Sequence, residues 1–127
     1  MTRATLPVAT LRPHEEVDPA NLARTIQEIL GGELLQEYPI LVDQKTYVIL
    51  DGHHRHAACK ALGISLVPCL LVDYESEVEL ESRRPEIHVS KTEVIRRGMS
   101  GELYPPKSTR HYFINSRPSP AGSPSGG

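Results

Sequence analysis

The sequence predicts a compact α+β domain, a small mixed sheet with flanking helices, and three segments carry that reading. Tyr47-Val48-Ile49-Leu50 is a short apolar strand that passes through Asp51-Gly52 into a helical stretch from His53 to Leu62. Asp18 before Pro19 marks a helix start, because the carboxylate can cap first-turn N–H groups and proline suits the first helical position. Val67 to Val72 is a continuous apolar run, the pattern of a central strand covered on both faces.

The remaining elements follow in order. Leu6 to Leu11 alternates weakly between Pro7 and Pro13, which predicts a short edge strand, and the polar stretch His14-Glu15-Glu16 comes next. The first helix presents Leu22, Ile26, Ile29 and Leu30 on one face and ends at Gly31-Gly32. Pro39 to Val42 and Thr46 to Leu50 read as a hairpin around Asp43-Gln44-Lys45, and Gly63 caps the helix that follows it. Residues 73–85 are charged and patternless, which predicts a solvated loop or an edge strand. Ser90-Lys91-Thr92-Glu93 has capping-box spacing, so a helix is expected from Lys91 to Arg97 with Gly98 as its stop. One domain over residues 1–115 is expected, with 116–127 as a disordered Ser/Pro/Gly-rich tail.

Composition narrows the function. Hydrophobic residues make up 39% of the 127, with one Phe and no Trp, so the core is small and aliphatic. A formal charge of −2 gives no broad basic surface, and no nucleic-acid partner is expected. Cys59 and Cys69 form no C-x-x-C pair and are read as reduced, half-buried packing residues. The chain has no apolar leader at its start and no run approaching the ~18 residues of a membrane helix, which predicts a cytoplasmic protein with no membrane partner.

Three polar clusters carry the chemistry. At Asp51-Gly52-His53-His54-Arg55 a strand enters a helix whose first-turn N–H groups lack internal partners, and the helix dipole adds partial positive charge there. An oxyanion such as phosphate is the first expectation, a solvated helix cap the second. Zinc on His53 and His56 is the third, because no companion ligand pair is evident. Lys107-Ser108-Thr109-Arg110-His111 follows two stiffening prolines and offers hydroxyls, cations and an imidazole to a carboxylate or phosphoryl group, with a basic surface loop as the alternative. Taken alone, His14-Glu15-Glu16 is a surface turn before a helix. No Gly-x-x-x-x-Gly-Lys-Ser/Thr phosphate loop occurs.

Together these clusters resemble the ParB and sulfiredoxin superfamily. Pro13-His14-Glu15, Leu50-Asp51-Gly52-His53-His54-Arg55 and Pro106-Lys107-Ser108-Thr109-Arg110-His111, in this order, are similar to the free L-serine kinase branch. The other branches match less well. Sulfiredoxins place a cysteine where His53 stands, and ParB partition proteins carry Glu-Arg-Arg and a following helix-turn-helix region.

The resemblance implies phosphorylation of L-serine to O-phospho-L-serine with ATP or ADP and Mg2+. It assigns Glu15 as the base, Asp51 as a catalytic group and Mg2+ ligand, and Gly52, His53, His54 and Arg55 as the nucleotide-phosphate turn. Lys107, Ser108, Thr109, Arg110 and His111 would hold the substrate. Longer members insert a second lobe where this chain has only residues 74–106. A regulatory module that binds nucleotide without transfer is the alternative, and a homodimer would cover the site and relieve the small core.

Overall fold

A computed structural model describes residues 1–114, so the expected tail lies outside the described residues. Strands β1 (Thr2–Pro7), β2 (Ile40–Asp43), β3 (Ile49–Asp51) and β4 (Leu66–Val72) form a mixed four-stranded sheet in the order β1-β4-β2-β3. The pair β2 and β4 is parallel, whereas β1 with β4 and β2 with β3 are antiparallel. Helices α1 (Pro19–Leu30), α2 (Leu34–Glu37) and α3 (His53–Leu62) interleave with these strands. Beyond β4 come α4 (Tyr74–Glu77), β5 (Val78–Ser82), α5 (Lys91–Ser100) and β6 (Thr109–Phe113), with β5 and β6 paired as a separate antiparallel ribbon.

Several local expectations hold. Asp18 caps α1 by accepting from the Asn21 N–H, and Gly63 ends α3 in the left-handed conformation. The central position of β4 matches its apolar run. Other expectations are corrected. The first strand starts at Thr2, and Val8–Thr10 is a 3-10 turn rather than strand. Of the loop or edge strand expected over residues 73–85, the strand is present as β5, and only the short helix α4 was not foreseen. Helix α5 runs through Gly98 and ends at Gly101, because Gly98 is a packing residue: a Cβ there would lie 2.6 Å from both Val48 methyls. Cys59 and Cys69 are free and fully buried rather than half-buried.

Two apolar clusters sandwich the sheet, as period-two alternation requires. Ile40 and Val42 of β2 pack with Ile49, Val67, Cys69 and Cys59 of α3, while Leu41 faces Leu50, Val72, Val94 and Tyr104. The segment after β4 thus completes the second face. Helix α1 packs against α3 but has no fully buried residue, and Leu30, expected on its apolar face, is exposed. Among the described residues no helix is long and apolar enough to cross a membrane.

Candidate active site

A cleft of about 570 Å³ gathers Glu15, the turn from Asp51 to Arg55, and Lys107, Thr109, Arg110 and His111. The three sequence clusters therefore meet in one place. Ser108 does not reach the cleft, being fully buried with its hydroxyl donating to the Pro105 carbonyl at 2.6 Å.

One wall is the start of α3. Gly52 precedes it at φ 117°, and a Cβ there would meet Ile40 at 3.1 Å and the Arg55 guanidinium at 3.1 Å, so the turn needs glycine. No side chain caps this helix, and its first residues, His53 to Arg55, line the cleft. The His53 and His54 rings line the cleft and also tie the turn to the rest of the fold. His53 Nε2 accepts from the His14 N–H at 3.1 Å, and His54 Nε2 accepts from the Asp18 N–H at 3.0 Å.

Burial, then His14 and His111 nearby, pushes His53 well below the ordinary imidazole value, and burial also lowers His54. Both rings are neutral near pH 7. His56 donates from Nε2 to the Val8 carbonyl at 3.1 Å, so the pairing with His53 expected for zinc is committed elsewhere. Arg55 donates to the Tyr38 and Pro39 carbonyls and pairs with Asp51 at 3.5 Å, which anchors the entry to β2.

The opposite wall is built around Glu15. Residues 12–16 lie alongside β3 and the Tyr104 segment: Ile49 N–H donates to the Arg12 carbonyl at 2.8 Å, and Glu16 N–H to the Tyr104 carbonyl at 2.8 Å. What reads as a surface turn is thereby pulled into the interior. The Glu15 carboxylate accepts three bonds, from Lys107 N–H at 3.0 Å to Oε2 and from Thr109 N–H at 3.0 Å and Thr109 hydroxyl at 2.7 Å to Oε1. Beside it His14 is fully buried, its Nδ1–H donating to the Ile49 carbonyl at 2.6 Å. Burial drives His14 down to about 4 despite that carbonyl.

His111, bonded to the Tyr74 hydroxyl at 2.7 Å, is lowered to about 3 by burial and then by His14. It carries no charge near pH 7, and its Nδ1 is buried without a partner among the described residues. Arg110 is matched by Glu81 across β5 and β6 at 3.2 Å. Lys107 and Arg83 keep exposed heads in the cleft, with no ion pair among the described residues.

Sequence reasoning missed the floor of the cleft. Asn21, Thr25 and Glu28 line it, and their helical spacing on the polar side of α1 was the available signal. Leu34, Tyr38 and Arg83 also line it, and only Arg83 had a hint, in the Arg83-Arg84 pair.

This fold and its strand-turn-helix entry define a class. Residues 3–84, well over half the chain, match the ParB N-terminal domain, and the chain belongs to that family. Among curated proteins it is 40% identical over 67 residues to a ParB-like protein of Sulfolobus acidocaldarius, covering 53% of this chain and 33% of that one. It is 39% identical over 85 residues to an ATP-dependent L-serine kinase of Staphylothermus marinus, covering 63% and 33%. An ADP-dependent L-serine kinase of Thermococcus kodakarensis is 29% identical over 91 residues, covering 68% and 38%. The chain spans about a third of the length of these curated relatives. A solved free serine kinase in complex with AMP superposes with a TM-score of 0.73 over 87% of each chain at 17% identity, a likeness of fold.

Proposed function

We propose that this chain transfers a phosphoryl group from ATP or ADP to a free small hydroxyl metabolite, L-serine by preference. The observation that carries the reading is one cleft with a fixed carboxylate, Glu15, on one wall and an uncapped helix N-terminus on the other. The names of the L-serine kinase relatives support the acceptor, and the AMP-bound structure with this fold supports a nucleotide in the cleft.

Phosphoryl transfer needs in-line positioning and neutralised oxygen charge more than covalent help. The first-turn N–H groups of α3, with Lys107 and Arg83, take the donor phosphates. Glu15 receives the proton of the attacking hydroxyl, and its three bonds fix the carboxylate so that it need not reorganise. Arg110 holds the acceptor by charge, and the neutral His111 ring lines the wall beside it, with Nε2 bonded to the Tyr74 hydroxyl and Nδ1 buried.

A magnesium ion held mainly by nucleotide phosphates needs only one or two protein carboxylates. Asp51 meets that requirement: it is exposed on the cleft wall, and no group of three metal-ligating side chains occurs among the described residues. When bound, the ion would neutralise phosphate charge.

Purified protein incubated with L-serine, Mg2+ and either nucleotide should yield O-phosphoserine by mass spectrometry. Glu15→Gln should abolish the product while nucleotide still protects against thermal unfolding. The span of about a third of the curated kinases favours a second reading, a ParB-like module that binds nucleotide without transfer. Protection without product for any small hydroxyl acceptor would establish that second reading, and full transfer by Glu15→Gln would refute Glu15 as the base.

A further inference from the structure

Three buried groups next to the cleft are one proton short of a full set of bonds. The Ile49 carbonyl can only accept, so His14 carries its proton on Nδ1, and its Nε2 presents a lone pair to Thr109 Oγ1 at 3.0 Å. Thr109 has one hydroxyl proton and a second acceptor, Glu15 Oε1, at 2.7 Å. With Glu15 ionised, that proton goes to the carboxylate, and the 3.0 Å approach to His14 sets lone pair against lone pair. His14 is 0%, Glu15 7% and Thr109 8% exposed, so water does not replace the missing bond.

One added proton on Oε1 removes the conflict. Oε1–H then donates to Oγ1, Oγ1–H turns to donate to Nε2, and Nδ1–H keeps the Ile49 carbonyl. We propose that proton capture by Glu15 flips the Thr109 hydroxyl from Glu15 to His14, making His14 and Thr109 positioning residues that sense and favour the protonated base. The role in catalysis rests on the phosphotransfer reading above. The acceptor O–H bond breaks and its proton forms the Oε1–H bond. The acceptor oxygen's electron pair forms the new P–O bond, and the nucleotide leaves with the electrons of the old one. Thr109 only rotates.

The surroundings keep this a single-proton event. His14 faces His53, His111 and Tyr104 at ring separations of 4.3, 5.5 and 6.2 Å, and Glu15 faces Lys107 and His54, with Asp18 behind. Burial lowers His53, His54 and His111 and raises Tyr104, so none of these gains or loses charge near pH 7.

The test is an NMR titration of the ligand-free protein, with 13C on glutamate carboxyls and 15N on imidazoles. At the pH where the Glu15 carboxyl titrates, the His14 Nε2 signal should move by the small step of a lone pair gaining a hydrogen bond, not by the much larger step of ring protonation, while Nδ1 stays protonated. His14→Asn keeps an N–H toward Ile49 and removes Nε2, so the Glu15 midpoint should fall to lower pH. His14→Gln puts an amide oxygen near the Nε2 position and should restore it. A purely structural His14 would shift both variants alike and leave Nε2 still in the wild type, and a still Nε2 overturns the proposal even where both variants fail to fold. Because no substrate is used, a coupled titration without phosphotransfer would sink only the kinase reading. Loss of transfer in Glu15→Gln with a silent Nε2 would sink only the flip.

Discussion

One wall of the cleft is made by neighbours in sequence, the other by residues 92 and 94 positions apart. On the proposed reading, the α3 wall works through backbone N–H groups that any sequence supplies once Gly52 has made the turn. The Glu15 wall works through one side chain that satisfies three donors at once. A site built on backbone tolerates change at most of its positions, whereas one built on a single carboxylate fails with it. In the proposed reaction the difference would also divide the labour, since anion binding needs only dipoles and proton transfer needs a particular group.

Substitutions can break this contrast, starting with Glu15→Ala. Three donors would lose their acceptor, which should cost about 4 kcal/mol in urea unfolding. Gly52→Ala strikes the other wall: strain at φ 117° and the contact with Ile40 should cost about 2 kcal/mol and remove nucleotide protection. His54→Ala in the same turn should leave nucleotide affinity within about twofold, because its ring is neutral and turned to Asp18.

Acid sharpens the comparison. His14 and His111, both on the Glu15 side, are held below their unfolded value of ~6.5, so the unfolded chain binds protons first as pH falls. Stability should be full above about pH 6.5 and drop by roughly 1.4 kcal/mol per pH unit for each histidine down to its folded value. Urea midpoints measured from pH 7 to 4.5 test this, and a flat profile would contradict the neutral, buried assignment. Asp18→Ala removes the α1 cap and should cost about 1 kcal/mol.

The same division explains what could be read in advance. The hairpin, the Asp51-Gly52 turn, and the bounds of α1 and α3 follow from local signals, and they were legible. Glu15 was not, except through family resemblance, because its burial depends on pairing with β3 and with Tyr104. Gly98 was misread for a related reason: a helix-ending glycine and a close-packed one look alike until Val48 is seen against it. The inward turn of His53 and His54 was hidden too, since the N–H groups they accept from belong to distant His14 and Asp18.

The Glu15 to Thr109 bond spans 94 positions, which gives the site a place in time as well as in space. Contacts so far apart in sequence carry a large loop-closure entropy and tend to form late in folding. The α3 turn can exist early as a local strand-turn-helix unit, before the carboxylate wall has closed. During refolding, nucleotide protection of α3 should precede burial of Thr109, a lag that pulse-labelled amide exchange can time. On the proposed reading, a newly folding molecule would acquire a grip on phosphate before it acquires a base.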